Sequence, residues 1–142
     1  MSLSTSARSS LLAACPLFSG VTPTDLVALS GAATEIDFAP NHVIAREGDI
    51  GTGFFVIVAG RVRVVRSGTV IARLGKGDFF GELSVLDGRP RNATVAADEP
   101  TTCLAIATWD FEAALLANPS VTLAILRGVA ARLRAETDAP GH

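Results

Sequence analysis

The chain has 142 residues, 12 of them basic and 14 acidic, for a net charge of −2, and 49% of it is apolar. That length suits one domain able to bury roughly two-thirds of the surface its unfolded chain exposes. With a single lysine and arginines spread along the chain, it offers no sequence-independent attraction to nucleic-acid phosphate or to an anionic membrane, and no stretch reaches the ~18 uninterrupted apolar residues of a spanning helix.

Residues 1–10 are small and polar and are expected to be a disordered N-terminal segment, followed by a short helix from Leu11 to Leu17. Leu12-Ala13-Ala14-Cys15 imitates a lipoprotein cleavage site, but the serine-rich residues before it, with Arg8 among them, lack the apolar run of a signal. The two cysteines, Cys15 and Cys103, make neither a disulfide framework nor a metal set and are expected to be buried as small hydrophobes. Thr22-Pro23-Thr24-Asp25 starts a second helix, with a capping threonine and a proline in the first turn, running through Leu26, Val27 and Leu29 to Gly31.

From Thr34 the apolar period changes to two, and glycine-containing turns recur every eight to twelve residues. The expected strands are Glu35–Ala39, His42–Arg46, Gly53–Ala59, Arg61–Arg66, Thr69–Leu74, Asp78–Phe80, Ala93–Ala97 and Thr101–Ala107. Such a series makes a β-roll or sandwich. In Arg61-Val62-Arg63-Val64 the arginines take the solvent face, and the valines fit either the core, the commoner case, or the floor of a ligand pocket. His42 is expected on a strand surface. Glu47-Gly48-Asp49-Ile50-Gly51-Thr52-Gly53 fails as a dinucleotide fingerprint, because no third glycine stands at the required offset and a strand, not a helix, follows. Turn chemistry accounts for it.

The stretch from Phe79 to Val95 departs from the core pattern. Gly81 lets backbone approach a ligand closely, and Glu82-Leu83-Ser84-Val85 fits one helical turn whose first N–H groups have no intrahelical partner, which makes an anion site. Nine residues beyond Glu82 stands Arg91, a planar five-donor fork suited to two phosphate oxygens, stiffened by Pro90. A carboxylate beside a bound anion repels it unless it faces hydroxyl donors, and sugar hydroxyls accompany a phosphate. Anion, hydroxyl and apolar wall describe a nucleotide. Taken as a pair alone, Glu82 and Arg91 also fit a structural ion pair; Gly81, Ser84, Pro90 and Ala93 at this spacing are what makes the combination specific.

Phe80-Gly81-Glu82-Leu83-Ser84 followed by Arg91-Asn92-Ala93-Thr94 resembles the phosphate-binding cassette of the cyclic nucleotide-binding domains of cyclic AMP receptors, kinase regulatory subunits and nucleotide-gated channels. The run Cys-Pro-Leu-Phe-Ser-Gly-Val-Thr-Pro at 15–23 is similar to that family's helical entry, and the Glu-Gly-Asp loop and Gly60 to its β-roll. The resemblance covers about Leu11 to Leu133. It implies a mainly β fold, an eight-stranded antiparallel, jelly-roll-like β-roll with N-terminal and C-terminal helices. It implies a single cyclic nucleotide-binding domain over residues 11–137, with 138–142 as a tail. The implied ligand-binding set is Phe80, Gly81, Glu82, Leu83, Ser84, Arg91, Asn92 and Ala93. In it Arg91 and the N–H groups near Ser84 and Ala93 hold the cyclic phosphate, and Glu82 accepts the ribose 2′-hydroxyl. Asn92 departs from the alanine, serine or threonine frequent after the arginine; its carboxamide can bond either purine, or locally. Cyclic AMP is the default ligand and cyclic GMP the second candidate; neither a cofactor nor a metal is expected.

After Thr108, Trp109-Asp110-Phe111 opens a helix through Leu115 and Leu116 that ends near Asn118-Pro119. Leu123, Leu126, Val129, Ala130 and Leu133 draw an apolar stripe along a second helix, expected to pack on the roll, with Thr108 or Ser120 as caps. The family resemblance makes that last helix a moving lid, with Phe111 and Val85 as hinge contacts and Arg132, Leu133 or Arg134 over the base. Against an enzyme stand the residue types: His42 and His142 are the only histidines, and no nucleophile–base set or metal spacing accompanies them. A transcription factor would need a helix-turn-helix module beyond Leu133. The expected molecule is a cytoplasmic regulatory module, not membrane-inserted and not binding nucleic acid, with an effector domain or partner protein reading its C-terminal helices. The alternatives are a ligand-free interaction scaffold of the same fold, or a regulatory fragment of a larger enzyme or transporter. Asn92-Ala93-Thr94 also matches a glycosylation acceptor, relevant only in a secreted chain.

Overall fold

In the computed structural model, residues 3–15, 18–50, 53–81 and 89–137 are described. Strands β1 (Thr34–Phe38), β2 (Val43–Ala45), β3 (Gly53–Ala59), β4 (Arg61–Arg66), β5 (Thr69–Gly75), β6 (Phe79–Phe80), β7 (Thr94–Ala97) and β8 (Thr101–Ala107) form two four-stranded sheets. One runs β1-β8-β3-β6 and the other β2-β7-β4-β5, with antiparallel neighbours throughout. This is the expected antiparallel roll, with strand ends within a residue or two of the pattern reading. His42 falls just outside β2, exposed, its ring 5.3 Å from that of Phe38.

The period-two pattern divides the core in two. Along β3, Phe54 and Val56 face the helices, while Ile57 turns into the space between the sheets. Leu104 and Ile106 of β8 join the helical side, and Cys103 the inner side. On the helical side Phe18, Phe54 and Phe111 meet with centroids 5.6 to 6.4 Å apart, tying the N-terminal loop, the sheet and the helix after β8 into one cluster. Val62 and Val95 fill the inner cluster together with Phe80. Cys15 and Cys103 are both buried and neither forms a disulfide, and burial pushes the Cys103 thiol up to about 12.

Helix α1 spans Thr5–Ala13, so most of the stretch expected to be disordered is helical, and the expected start at Leu11 falls near the helix end. Ser4 caps it by accepting from Ala7 N at 3.1 Å. Arg8 ties it down, donating to the Ala33 carbonyl and pairing with Glu35 at 3.2 Å, while Glu35 also accepts the Leu3 N–H. A long-range clamp of this kind leaves no periodic trace. Helix α2 (Pro23–Gly31) is as expected, with Thr22 accepting from Asp25 N at 3.3 Å.

Helix α3 spans Thr108–Ala117 and α4 Pro119–Thr137. Thr108 is the first residue inside α3, and the cap position falls on Ala107, which offers no side-chain bond. Ser120 lies inside α4 and donates instead to Asp25 at 3.3 Å. The expected stripe on α4 is also corrected: Val121 and Ile125 are buried and Ala124 and Val129 half-buried, whereas Leu123, Leu126 and Leu133 stand 46%, 62% and 63% exposed. Two apolar stripes with helical spacing run along this helix, and the one with smaller side chains permits the close approach to Gly20. No single helix among the described residues is long and apolar enough to cross a membrane.

Candidate functional site

A cavity of about 220 Å³ opens between the sheets. Ala45, Val64, Leu74, Phe79, Phe80 and Val95 supply its apolar wall, and Gly81, Arg91, Asn92 and Ala93 its polar edge. Concave apolar space with a few convergent polar groups is the usual form of a small-molecule site. Five of the eight expected binding residues therefore line one cavity: Phe80, Gly81, Arg91, Asn92 and Ala93. Glu82, Leu83 and Ser84, and the hinge candidate Val85, lie outside the described residues. The valine alternatives separate, since Val64 lines the cavity and Val62 is fully buried core.

Local chemistry explains each placement. Phe79 and Phe80 pair with Val56 and Phe55 across β3, and the Phe80 ring stacks on Phe55 with centroids 5.0 Å apart. The chain then leaves β6 at Gly81 with φ +91°, a conformation that costs an L-residue Cβ. A Cβ there would stand 2.8 Å from Arg91 Nη1 and 2.8 Å from the Gly53 carbonyl oxygen. Glycine is thus what lets the guanidinium lie against the backbone.

Arg91 is half-buried. Its Nη2 donates to the Gly53 carbonyl at 2.9 Å, and Cζ lies 6.0 Å from the Phe55 ring centroid. Its own backbone is bonded on both sides to the preceding loop, Arg91 N to Asp49 O at 2.7 Å and Gly48 N to Arg91 O at 2.8 Å. Pro90 pairs with Ile50 in an isolated antiparallel bridge. The glycine-rich loop read as turn chemistry is thus the seat of the arginine. Asn92 is exposed at the rim, its carbonyl accepting from Arg66 Nε at 3.0 Å, and Ala93 is buried.

Ala45, Leu74 and Val95 were not singled out in the sequence as ligand contacts, although their period-two positions mark them as inward-facing. Among the described lining residues none comes from α3 or α4, so Leu133 and Arg134 are not placed over this cavity. The Arg132 side chain lies outside the description, and Phe111 is packed in the helical core cluster. Among the described residues, no group of three or more His, Cys, Asp or Glu side chains comes together as a metal site.

A positively charged fork beside an apolar slot between two sheets can seat a small anionic ligand that also carries an apolar face. The comparisons agree on the family. The family model described as Cyclic nucleotide-binding domain matches residues 35–118. A cGMP-dependent protein kinase of Toxoplasma gondii is 35% identical over 95 residues, which is 67% of this chain and 10% of the kinase. A CRP-like cAMP-activated global transcriptional regulator of Mycobacterium tuberculosis is 27% identical over 146 residues, covering 93% of this chain and 65% of the regulator. This chain thus spans less than two-thirds of either relative. The crystal structure of the N-terminal domain of a transcriptional regulator from Streptomyces coelicolor A3(2) superposes with a TM-score of 0.80 at 32% identity, covering 89% of this chain and 94% of that one. The chain belongs to the cyclic nucleotide-binding domain family.

Proposed function

We propose that the chain is a regulatory cyclic nucleotide sensor, with cyclic AMP as first ligand and cyclic GMP as second, and that it is not itself an enzyme. The carrying observation is the Arg91 guanidinium laid across Gly81 at the edge of an apolar cavity. In this reading Arg91 takes the cyclic phosphate through paired charge-assisted bonds, joined by N–H groups near Ser84 and Ala93, and Glu82 accepts the ribose 2′-hydroxyl. Phe80, Gly81 and Leu83 shape the pocket, and Asn92 meets the base edge.

Binding draws the segment around 81–85 inward and shifts α3 and α4, on which an effector domain or partner protein reads the signal. The shift requires that ligand favour one helix arrangement by differential affinity. The ring cluster of Phe18, Phe54 and Phe111 supports this route, since it joins α3 to the strand next to β6. A cytoplasmic setting, without membrane insertion or direct contact with nucleic acid, suits such a module.

Isothermal titration with cyclic AMP and cyclic GMP, with 5′-AMP as control and Arg91→Ala as blank, tests the reading. Micromolar or tighter binding, about −8 kcal/mol or better, that vanishes in the variant is the expected result. No heat from folded, ligand-free protein would move the assignment to a scaffold that kept the fold and lost its ligand.

A further inference from the structure

We infer that Arg66 and Glu47, neither of which lines the cavity, are positioning residues that hold the segment 91–94 in register and thereby set both the affinity and the base preference of the site. The inference rests on reading the cavity as a cyclic nucleotide site.

Strand β4 pairs with β7 only as far as Val65 opposite Thr94. The next residues toward the cavity, Ala93, Asn92 and Arg91, lie beyond that ladder. Arg66 extends the connection with its side chain, whose Nε donates to the Asn92 carbonyl at 3.0 Å. On the other flank Glu47 N donates to Thr94 Oγ1 at 2.9 Å. The Glu47 carboxylate then reaches across to accept the Ser67 N–H at 3.0 Å. Ser67 and Gly68, with φ +52° and +81°, make the two-residue turn between β4 and β5. Positive φ at both central positions is what such a hairpin demands, and serine there is uncommon. The carboxylate bond helps to hold it.

The result is a closed circuit of hydrogen bonds: Asn92 to Arg66, along the chain to Ser67, across to Glu47, and back to Thr94. Ala93 lies between the two ends of that circuit. Arg91 precedes it and is separately bonded to Gly48 and Asp49. A ligand site performs best when supporting bonds fix its contact groups to within about half an ångström. These bonds lie on the exposed surface, where each contributes little to global stability. Their effect therefore falls on the geometry of the rim more than on the fold.

The test is titration of the full chain with cyclic AMP and cyclic GMP for wild type, Arg66→Lys, Arg66→Gln and Glu47→Ala, with thermal unfolding of each. Lysine keeps the charge but lacks the planar Nε–H. Arg66→Lys and Glu47→Ala, which removes the acceptor of the Ser67 N–H, are expected to lose about three- to tenfold in cyclic AMP affinity. The ratio of cyclic AMP to cyclic GMP affinity should also change, while Tm stays within about 3 °C of wild type. If Arg66→Lys keeps wild-type affinity and only Arg66→Gln loses it, the residue acts as a distant charge and the inference is overturned. Unchanged affinities and ratio in all variants overturn it as well. A wild-type chain that binds neither nucleotide removes the underlying reading, and the inference with it. Should Glu47→Ala lose the fold, Arg66→Lys carries the test.

Discussion

Arg91 and Gly81 claim adjacent space: Nη1 of the arginine lies 2.8 Å from where a Cβ on residue 81 would stand, and the Gly53 oxygen that accepts Nη2 lies as close. Gly81→Ala therefore meets a backbone oxygen that cannot yield, in addition to the roughly 1–2 kcal/mol of placing a Cβ at positive φ. The expected outcome is a Tm lower by about 3–8 °C and a clear loss of cyclic AMP affinity. A variant that melts and binds like wild type would show that the guanidinium does not lie against residue 81.

Arg91→Lys retains the charge and removes the fork. Losing a bidentate charge-assisted contact costs roughly 1.5–3 kcal/mol, so affinity should fall at least tenfold. Calorimetric titration reads the change directly. Wild-type affinity in this variant would end the assignment of Arg91 to phosphate.

What the sequence disclosed, and what it hid, follows from the range of each interaction. The eight strands were legible because alternation such as Phe54, Val56 against Ile57 is a local consequence of a sheet with a core on each face. The edge of the site was legible because Gly81 and Arg91 have few other reasons to occur at that spacing, and because the family pattern reinforces them. Helix α1 was not, since what orders it is Arg8 reaching 25 residues to Ala33 and 27 to Glu35. The packed face of α4 was misread because Leu123, Leu126 and Leu133 are more apolar than the stripe that is buried, and helical spacing cannot rank two stripes on one helix. Arg66 and Glu47 escaped notice for the same reason as Arg8: their partners are 26 and 20 residues away.

The role given to Glu82 is tested without touching the protein. 2′-Deoxy cyclic AMP lacks the hydroxyl that the proposal assigns to the carboxylate, and a hydrogen bond to a charged group contributes roughly 1.5–3 kcal/mol. Affinity for the deoxy ligand should accordingly be lower by about fivefold or more, measured in the same titration. Equal affinities would make the glutamate a structural residue.

Asp98 accepts from Arg63 at 2.8 Å and from Arg73 at 3.1 Å on the second sheet. The Arg63 hydrogen bond, opposed by partial loss of water and reinforced by Arg73, holds its carboxyl below the usual carboxylate value. A depressed folded pKa gives stability that is present above the unfolded value, near 3.9, and is lost as pH falls through the folded one. Urea unfolding of wild type and Asp98→Asn should therefore differ at pH 6 and converge toward pH 3. The difference should shrink in high salt, as the site is solvent-accessible. A gap that persists unchanged at pH 3 would mean that the asparagine acts by something other than lost charge.

Helix α4 is docked on the N-terminal side of the molecule, where a Cβ on Gly20 would stand 3.3 Å from the Ala124 Cβ and Ser120 donates to Asp25 at 3.3 Å. If ligand moves this helix, the docked arrangement competes with the bound one, and weakening it must tighten binding. Gly20→Val forces the two elements apart while leaving the cavity walls untouched. A destabilisation of the docked form by about 1 kcal/mol should raise cyclic AMP affinity roughly fivefold, with the β-core still cooperative in thermal unfolding. Ser120→Ala should act in the same direction and less strongly, as only a surface hydrogen bond is lost. Unchanged affinity in a folded Gly20→Val chain would mean that the docking of α4 is not linked to the ligand, leaving the signal to α3 or to another surface.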